Sequence, residues 1–307
     1  ERTVVISELE GNQNEPLFLL DEAVQAAAFS AHPYRNEVIG SLADLQAMTR
    51  DDLYQHYRQN YNPSNAVIAV AGDFESAGLL EKIQQAYASI PGIPVPPPDC
   101  LPEEPLQAEK RLVVNGPGET TYLQLVYRAP AAREKDFFIF TILDSLLTGP
   151  TSLNMFGGGG ISNKTSRLYR RLVEKEYAIS VNGSLQATID PFLYNINITV
   201  HPSRTAEEVL EQVDKELAAL RQKPPTQSEV NRSAKQARAL FAYGSENITN
   251  QAFWMGYSEM FADHSWFTSY TTRLSQVKAE DVHRVLSTRL NTNQRVVGTY
   301  LPDGAQR

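Results

Sequence analysis

Residues 49–73, TRDDLYQHYRQNYNPSNAVIAVAGD, decide the fold because residues 278–302, KAEDVHRVLSTRLNTNQRVVGTYLP, repeat their pattern. In both stretches the apolar residues first recur at helical spacing and then form a short run typical of a buried strand. The pairs aligned at an offset of 229 are Asp52 with Asp281, Leu53 with Val282, Asn62 with Asn291, and Val67 with Val296. A match of this length indicates an internal duplication.

A second pair of segments supports the duplication. FSAHPY at 29–34 is similar to FADHSW at 261–266, in the same order along the chain but with a shift of three residues. The second copy opens near Lys110, so its counterpart would fall at 110 − 229 = −119. If the copies are equally long, about 120 residues of the first copy are expected upstream of Glu1. We therefore expect a piece of a larger two-domain protein.

Composition excludes several classes of protein. With 42% hydrophobic and 21% charged residues, the 307-residue chain has the composition of a soluble globular protein. Its net charge of −8 argues against a nucleic-acid surface, which needs clustered lysine and arginine. The single cysteine, Cys100, excludes an intrachain disulfide. No apolar run approaches the roughly 20 residues of a membrane span. The compartment stays open between cytoplasm, periplasm and organelle, and a homodimer or a heterodimer with a related chain is possible.

The chain divides at a proline-rich stretch. Residues 91–105 contain seven prolines and are predicted to be an extended linker. Residues 1–90 are predicted to be the C-terminal half of a first domain, and residues 106–307 a complete second domain. The order of the predicted elements indicates an α+β fold with two homologous domains, each a largely antiparallel sheet with helices on one face. The first domain is expected to be truncated at its N-terminus.

Three local predictions follow from periodicity and from the flanking turn residues. One amphipathic helix is expected over residues 44–60 and a further helix near 165–176. The run AVIAVAG at 66–72 is expected to be a strand.

Few residues in the chain could carry chemistry by themselves. No two of the five histidines are three or four residues apart, so no helical pair of histidine zinc ligands is present. The glycine run at 157–160 fails the phosphate-loop pattern because Asn163 stands where a glycine is required. Glu1 and Glu8 are seven residues apart, which is two helical turns, so both carboxylates lie on one helix face.

Three motifs carry a resemblance to a known family. ERTVVISELEGNQNEP at 1–16 resembles the zinc-ligand helix of the insulinase/pitrilysin metallopeptidases, whose zinc motif is the inverted HxxEH. The stretch from His32 to Phe74 is similar to the family's HPY…GD signature, and TSRLYRRLVEKEYAISVNG at 165–183 is similar to a segment of its second domain. The motifs occur in the family's order over nearly the whole chain.

The resemblance implies roles for individual residues. Glu8 would be the third zinc ligand, Glu1 a supporting acid, and Tyr177 the candidate for contact with substrate. An arginine common in the family's second domain is replaced here by Val173. Zinc is expected to bind only together with the HxxEH helix, which would lie upstream of Glu1 and would carry the two histidine ligands and the catalytic glutamate.

The implied function is that of a zinc metalloendopeptidase, in which metal-activated water hydrolyses a peptide or an unfolded polypeptide. This chain alone is expected to be inactive because it lacks HxxEH. Two alternatives stay open: a non-catalytic structural or regulatory subunit of the same fold, and one half of a split peptidase that a partner chain completes.

Overall fold

The computed structural model describes residues 1–96, 100–150 and 164–303, so the glycine run at 157–160 lies outside the described residues. We call residues 1–90 the first segment and residues 106–303 the second segment. The helices are α1 (Arg2–Asn12), α2 (Pro16–Ala28), α3 (Leu42–Ala47), α4 (Arg50–Asn60), α5 (Ser76–Tyr87), α6 (Lys135–Leu147), α7 (Ala206–Gln222), α8 (Gln227–Gly244), α9 (Ile248–Phe261), α10 (His264–Ser275) and α11 (Ala279–Arg289). The strands are β1 (Lys110–Gly116), β2 (Tyr122–Arg128), β3 (Ala178–Leu185), β4 (Leu193–Val200) and β5 (Arg295–Pro302).

The five strands form one sheet in the order β1-β5-β2-β4-β3. All neighbours are antiparallel except β1 and β5, which run parallel. The helices of the second segment pack on one face of this sheet around α6, whose residues from Phe137 to Leu147 are all buried. A helix that is apolar on every side is stable only when it is buried in this way. The α+β fold with a largely antiparallel sheet, expected from the sequence, is confirmed.

The opposite face of the sheet is covered by α2, which belongs to the first segment. Leu20 and Val24 of α2 pack with Val126, Val296 and other apolar residues of the sheet in a second, smaller core. Gly298 in β5 makes this approach possible, because a Cβ atom there would overlap with the side chains of Val24 and Leu20. The two segments therefore share a hydrophobic core across this face.

The element boundaries reproduce the repeat seen in the sequence. Helix α4 and helix α11 begin and end 229 residues apart, and so do the short 3₁₀ turns that follow them, Pro63–Asn65 and Thr292–Gln294. The contact between copies is also reciprocal. Gly256 of α9 lies against Ala69. Gly256 is the counterpart of Val24 at an offset of 232, and Ala69 is the counterpart of Gly298 at an offset of 229, so the same two positions are in contact in both directions between the copies. The duplication is therefore visible in three dimensions.

Three local predictions need correction. Residues 66–71 do not form a strand, and Val67 and Ile68 are about half exposed, because among the described residues no strand pairs with them. The helix expected at 44–60 is two helices, since a capping box between Thr49 and Asp52 starts α4. The helix expected near 165–176 is mainly a π-helical turn over Tyr169–Val173.

One carboxylate of the linker accepts four hydrogen bonds from the first segment. Glu103 Oε1 accepts hydrogen bonds from the backbone N–H of Ser30 (2.8 Å) and from its hydroxyl (2.5 Å). Glu103 Oε2 accepts from the backbone N–H groups of Ala31 and His32, both at 2.9 Å. Burial alone would raise the pKa of Glu103, but these four hydrogen bonds lower it to about 2.

Within the part of the chain that the structure describes, no helix has both the length and the apolar character needed to cross a membrane.

Candidate functional site

Helix α1 carries the two carboxylates that the sequence singles out. Glu1 occupies the N-cap position without a capping hydrogen bond from its side chain, and both Glu1 and Glu8 are exposed, whereas the neighbouring Leu9 is buried. The Arg2 guanidinium donates to the carbonyl oxygens of Gln46 (3.3 Å) and Met48 (3.0 Å), which fixes α1 against the end of α3. The helix therefore presents Glu8 on an open surface of the first segment.

The spacing on α1 limits what these carboxylates can hold together. Seven residues of α-helix rise by about 10 Å, too far for Glu1 and Glu8 to ligate the same ion. A zinc site needs at least three protein ligands. Glu8 therefore fits zinc as one ligand of an incomplete set, and Glu1 fits only as an acid outside the coordination shell.

The second segment contains the counterpart of this helix. At an offset of 232, α1 corresponds to residues 234–244, the C-terminal part of α8, and both helices end at matching positions. Glu8 then corresponds to Leu240, which is buried, and Glu1 corresponds to Ser233, whose carbonyl oxygen accepts a hydrogen bond from Ser145 Oγ at 3.1 Å. In the second segment this helix face is therefore covered by α6, and the position of the predicted ligand is apolar.

Helix α4 and the extended residues after it are more exposed than their counterparts in the second segment. Five apolar residues here are 49–70% exposed, whereas their counterparts at an offset of 229 are 0–3% exposed. We call these five residues the open face; they are Leu53, Tyr57, Tyr61, Val67 and Ile68. Their counterparts are Val282, Leu286, Leu290, Val296 and Val297. An apolar surface of this kind marks an interaction site.

Tyr177 lies in the second segment, directly before β3. Its ring packs on the core of the second segment, and the Arg204 guanidinium lies 4.6 Å from the ring centroid. Its carbonyl oxygen accepts a hydrogen bond from the backbone N–H of His201 at 3.1 Å. Glu176, which precedes it, has φ 56°, so the chain turns sharply into β3 at this point. These contacts fix Tyr177 in place, and its contact with substrate stays a prediction.

A cleft of about 710 Å³ between the linker and the second segment holds a different cluster. His32, Cys100 and Asp190 each place one potential ligand atom within 4.8 Å of the others. His32 Nδ1, however, accepts a hydrogen bond from the backbone N–H of Tyr34 at 3.1 Å. In a neutral ring the proton is then on Nε2, which lies 3.4 Å from Asp190 Oδ2. The ring offers this cluster an N–H group instead of a lone pair, so we assign no metal to it.

Sequence reasoning missed the role of Glu103 and the packing of α2. A glutamate in a proline-rich linker has no local pattern that predicts three backbone N–H partners more than 70 residues away. Gly298 was a usable signal, because a glycine inside a strand often marks a close approach of another part of the chain.

Comparison with known proteins shows which family this chain resembles. Residues 47–237 match the model of the family described as the peptidase M16 inactive domain. An uncharacterized zinc protease of Mycobacterium tuberculosis is 26% identical over 291 residues, covering 93% of this chain and 63% of the relative. The zinc protease PqqE of Helicobacter pylori is 26% identical over 300 residues, covering 93% of this chain and 62% of the relative. The chain thus spans less than two thirds of the length of these curated relatives.

A solved structure shares the fold over nearly the whole chain. The crystal structure of a protease from Helicobacter pylori superposes with a TM-score of 0.87 at 23% identity, covering 98% of this chain and 71% of that one.

Proposed function

This chain belongs to the peptidase M16 family, and on that premise we propose that it forms the non-catalytic part of a zinc metalloendopeptidase. In this proposal the chain contributes one zinc ligand, Glu8, and the homologous second domain at residues 106–307. The other ligands and the catalytic glutamate come from an HxxEH helix that lies outside residues 1–307 or on a partner chain. The substrate is a peptide or an unfolded polypeptide.

The exposure of Glu8 is the observation that carries the proposal. In the second segment the equivalent helix packs against α6, and Leu240, in the position of Glu8, is buried. If the two copies are built alike, a helix equivalent to α6 would cover α1 in the complete protein. A carboxylate facing a buried helix needs a cation or a hydrogen-bond donor, whereas a leucine does not. A helix that carries zinc-bound histidines would supply that cation.

The open face supports the same arrangement. In the second segment, α11 packs against α6 and β5 pairs with β1 and β2, and together these elements bury the counterparts of the open face. The elements that would cover the open face are therefore two strands and one apolar helix, equivalent to β1, β2 and α6 in the first half of the repeat. Such a unit would also pair with residues 66–71 and complete a strand there.

The chemistry assigned to this chain is limited to Glu8 and Glu1. When bound, zinc lowers the pKa of a coordinated water to about 7. Glu8 holds the metal through an anionic carboxylate, and Glu1, two turns away, adds negative charge outside the coordination shell. The second domain forms a wall beside the substrate, and Tyr177 is the candidate for contact with it.

The test is mutagenesis of α1 in the full-length or partner-completed protein. Glu8→Gln keeps the size of the side chain but removes its charge, and should lower zinc affinity and peptide cleavage by at least the roughly 10–100-fold typical of residues outside the coordination shell. Glu1→Gln should lower both by less. Glu10→Gln, an exposed glutamate on the same helix, is the matched control and should change neither.

Zinc content and cleavage of a fluorogenic peptide are the measurements. Wild-type zinc content and activity in Glu8→Gln would show that Glu8 is not a ligand. A completed protein that holds no zinc and cleaves no peptide would favour the structural or regulatory subunit. Residues 1–307 alone should bind no stoichiometric zinc.

A further inference from the structure

A cavity of about 270 Å³ lies among the helices of the second segment, where α6, the end of α10 and the start of α11 meet. Three of the described residues that line it are cations from different parts of the chain. Arg133 lies in the loop before α6, Lys135 in the first turn of α6, and Arg273 in the last turn of α10. One carboxylate, that of Asp281 in α11, also borders the cavity. Two positive charges are therefore unbalanced here, in a chain whose net charge is −8.

The acidic groups nearest in sequence do not neutralise these cations. In the part of the chain that the structure describes, none of the three cations forms an ion pair with a carboxylate. Asp281 Oδ2 accepts a hydrogen bond from the backbone N–H of Lys278 at 3.1 Å, as part of the capping box that starts α11. Asp136, which follows Lys135, accepts two hydrogen bonds from Arg284, at 2.6 and 3.0 Å.

Two of the cations are held in place by groups that carry no net charge. Arg133 Nη2 donates to the carbonyl oxygen of Ile189 at 3.3 Å. The Arg273 guanidinium lies 5.1 Å from the ring centroid of Phe138. A guanidinium has five N–H donors, so both arginines keep donors for a ligand. Because the two side chains are already positioned, an anion that binds here loses less free energy to side-chain ordering.

The size and the charge of the cavity select among anions. Its base is closed by Phe138, Ile139 and Val277, which are at most 7% exposed. A water molecule occupies about 30 Å³, so the cavity has room for a group of several non-hydrogen atoms. The phosphate of a monoester carries a charge of about −1.5 to −2 near neutral pH and has three strong acceptor oxygens, which matches three cations. A carboxylate carries one charge on two oxygens and matches them less well.

We propose that this cavity binds a phosphate group, supplied by inorganic phosphate or by a small phosphate monoester. The phosphate oxygens would accept hydrogen bonds from the side chains of Arg133, Lys135 and Arg273. Binding here requires neither zinc nor Glu8, so the proposal is independent of the proposed function.

The experiment is a two-dimensional NMR titration of the chain of residues 1–307 with inorganic phosphate and, separately, with phenyl phosphate. Sodium chloride keeps the ionic strength constant, so that general screening is the same at every point. Backbone amide signals of residues 133–139 and 273–277 should shift and saturate with a single dissociation constant. Acetate should bind at least about tenfold more weakly, as expected when a hydrogen bond between charged groups is lost. Tighter binding of phenyl phosphate than of inorganic phosphate would identify a monoester as the ligand, and the reverse order would identify the free ion.

Variants locate the site. Lys135→Gln and Arg273→Gln should each weaken phosphate by about tenfold, and Arg273→Lys, which keeps the charge, should weaken it by less. Arg58→Gln removes the same charge from the exposed side of α4 and should change nothing. Lys135 is exposed, so its variant should fold as wild type does, and circular dichroism checks this.

Three results would overturn the proposal: no saturable shift with either phosphate, acetate that binds as tightly as phosphate, or equal affinity in Lys135→Gln and Arg58→Gln. Zinc content and peptide cleavage are not measured, so these results leave the test of Glu8 independent.

Discussion

Replacing Glu103 should release the linker from residues 30–32, because one carboxylate accepts all four hydrogen bonds described above. Glu103→Gln keeps the shape of the side chain, but its amide nitrogen must face either the two donors of Ser30 or the N–H groups of Ala31 and His32. The fall in the pKa of Glu103 from 4.5 to about 2 corresponds to at most about 3.4 kcal/mol. Because the side chain is partly exposed, solvent screening reduces the expected loss in unfolding free energy to about 1–2 kcal/mol.

The sign of the pH dependence follows from the direction of this shift. The folded-state pKa of Glu103 is depressed, so its contribution is fully present above the ordinary value of 4.5. The contribution is lost as the pH falls from about 4.5 to about 2, because the protonated carboxyl no longer attracts the N–H groups. The difference in stability between wild type and Glu103→Gln should therefore shrink over this range.

Urea unfolding at a series of pH values measures the free-energy difference, and hydrogen exchange of residues 29–36 shows where the structure opens. Glu104→Gln, the exposed neighbour in the sequence, is the matched control and should behave as wild type. If Glu103→Gln unfolds at the same urea concentration as wild type at pH 7, with unchanged exchange at residues 29–36, the carboxylate does not hold the linker.

Two further substitutions test the second segment by urea unfolding. Gly183→Ala should lower the unfolding free energy by about 3 kcal/mol or more, because the added Cβ would overlap with the buried side chain of Asp144. Gly78→Ala in the exposed helix α5 meets open space and should raise the unfolding free energy by up to about 1 kcal/mol. Equal effects of the two substitutions would refute the overlap. Arg295→Met should cost about 2–4 kcal/mol because it removes the buried guanidinium that pairs with Asp214, whereas Arg50→Met at the exposed ion pair with Asp51 should cost less than about 1 kcal/mol. A loss at Arg295 as small as that at Arg50 would contradict the pairing.

The order of elements in the second segment could be predicted from the sequence because its signals are local. Alternating apolar residues mark β3 and β4, and a continuous apolar run marks α6. The break at Thr49 was also predictable, since threonine followed three residues later by aspartate is a capping signal. Predicting a single helix over 44–60 gave periodicity more weight than that cap.

Strand pairing could not be predicted, nor could the identity of the helix that approaches Gly298, because both depend on residues distant in sequence. AVIAVAG aligns with RVVGTYL in β5, yet β5 is a strand because β1 and β2 lie on either side of it. Residues 66–71 are extended in the same way but have no such neighbours among the described residues. Side-chain preference favours an extended backbone, but a strand also requires partners for its N–H and C=O groups.

The local sequence also predicts only part of the candidate site. The motif around Glu8 predicts a ligand, but only comparison of the two copies shows which surface Glu8 faces. The same comparison explains why the open face is apolar: its residues follow the pattern of a buried helix and strand, and their counterparts are buried by elements of their own copy. A sequence selected only for a solvent-exposed helix would have no reason to place leucine and tyrosine at the positions where α11 has Val282 and Leu286. The pattern of the open face therefore favours a covering unit over a solvated surface, and that unit is where the zinc ligands of our proposal should be sought.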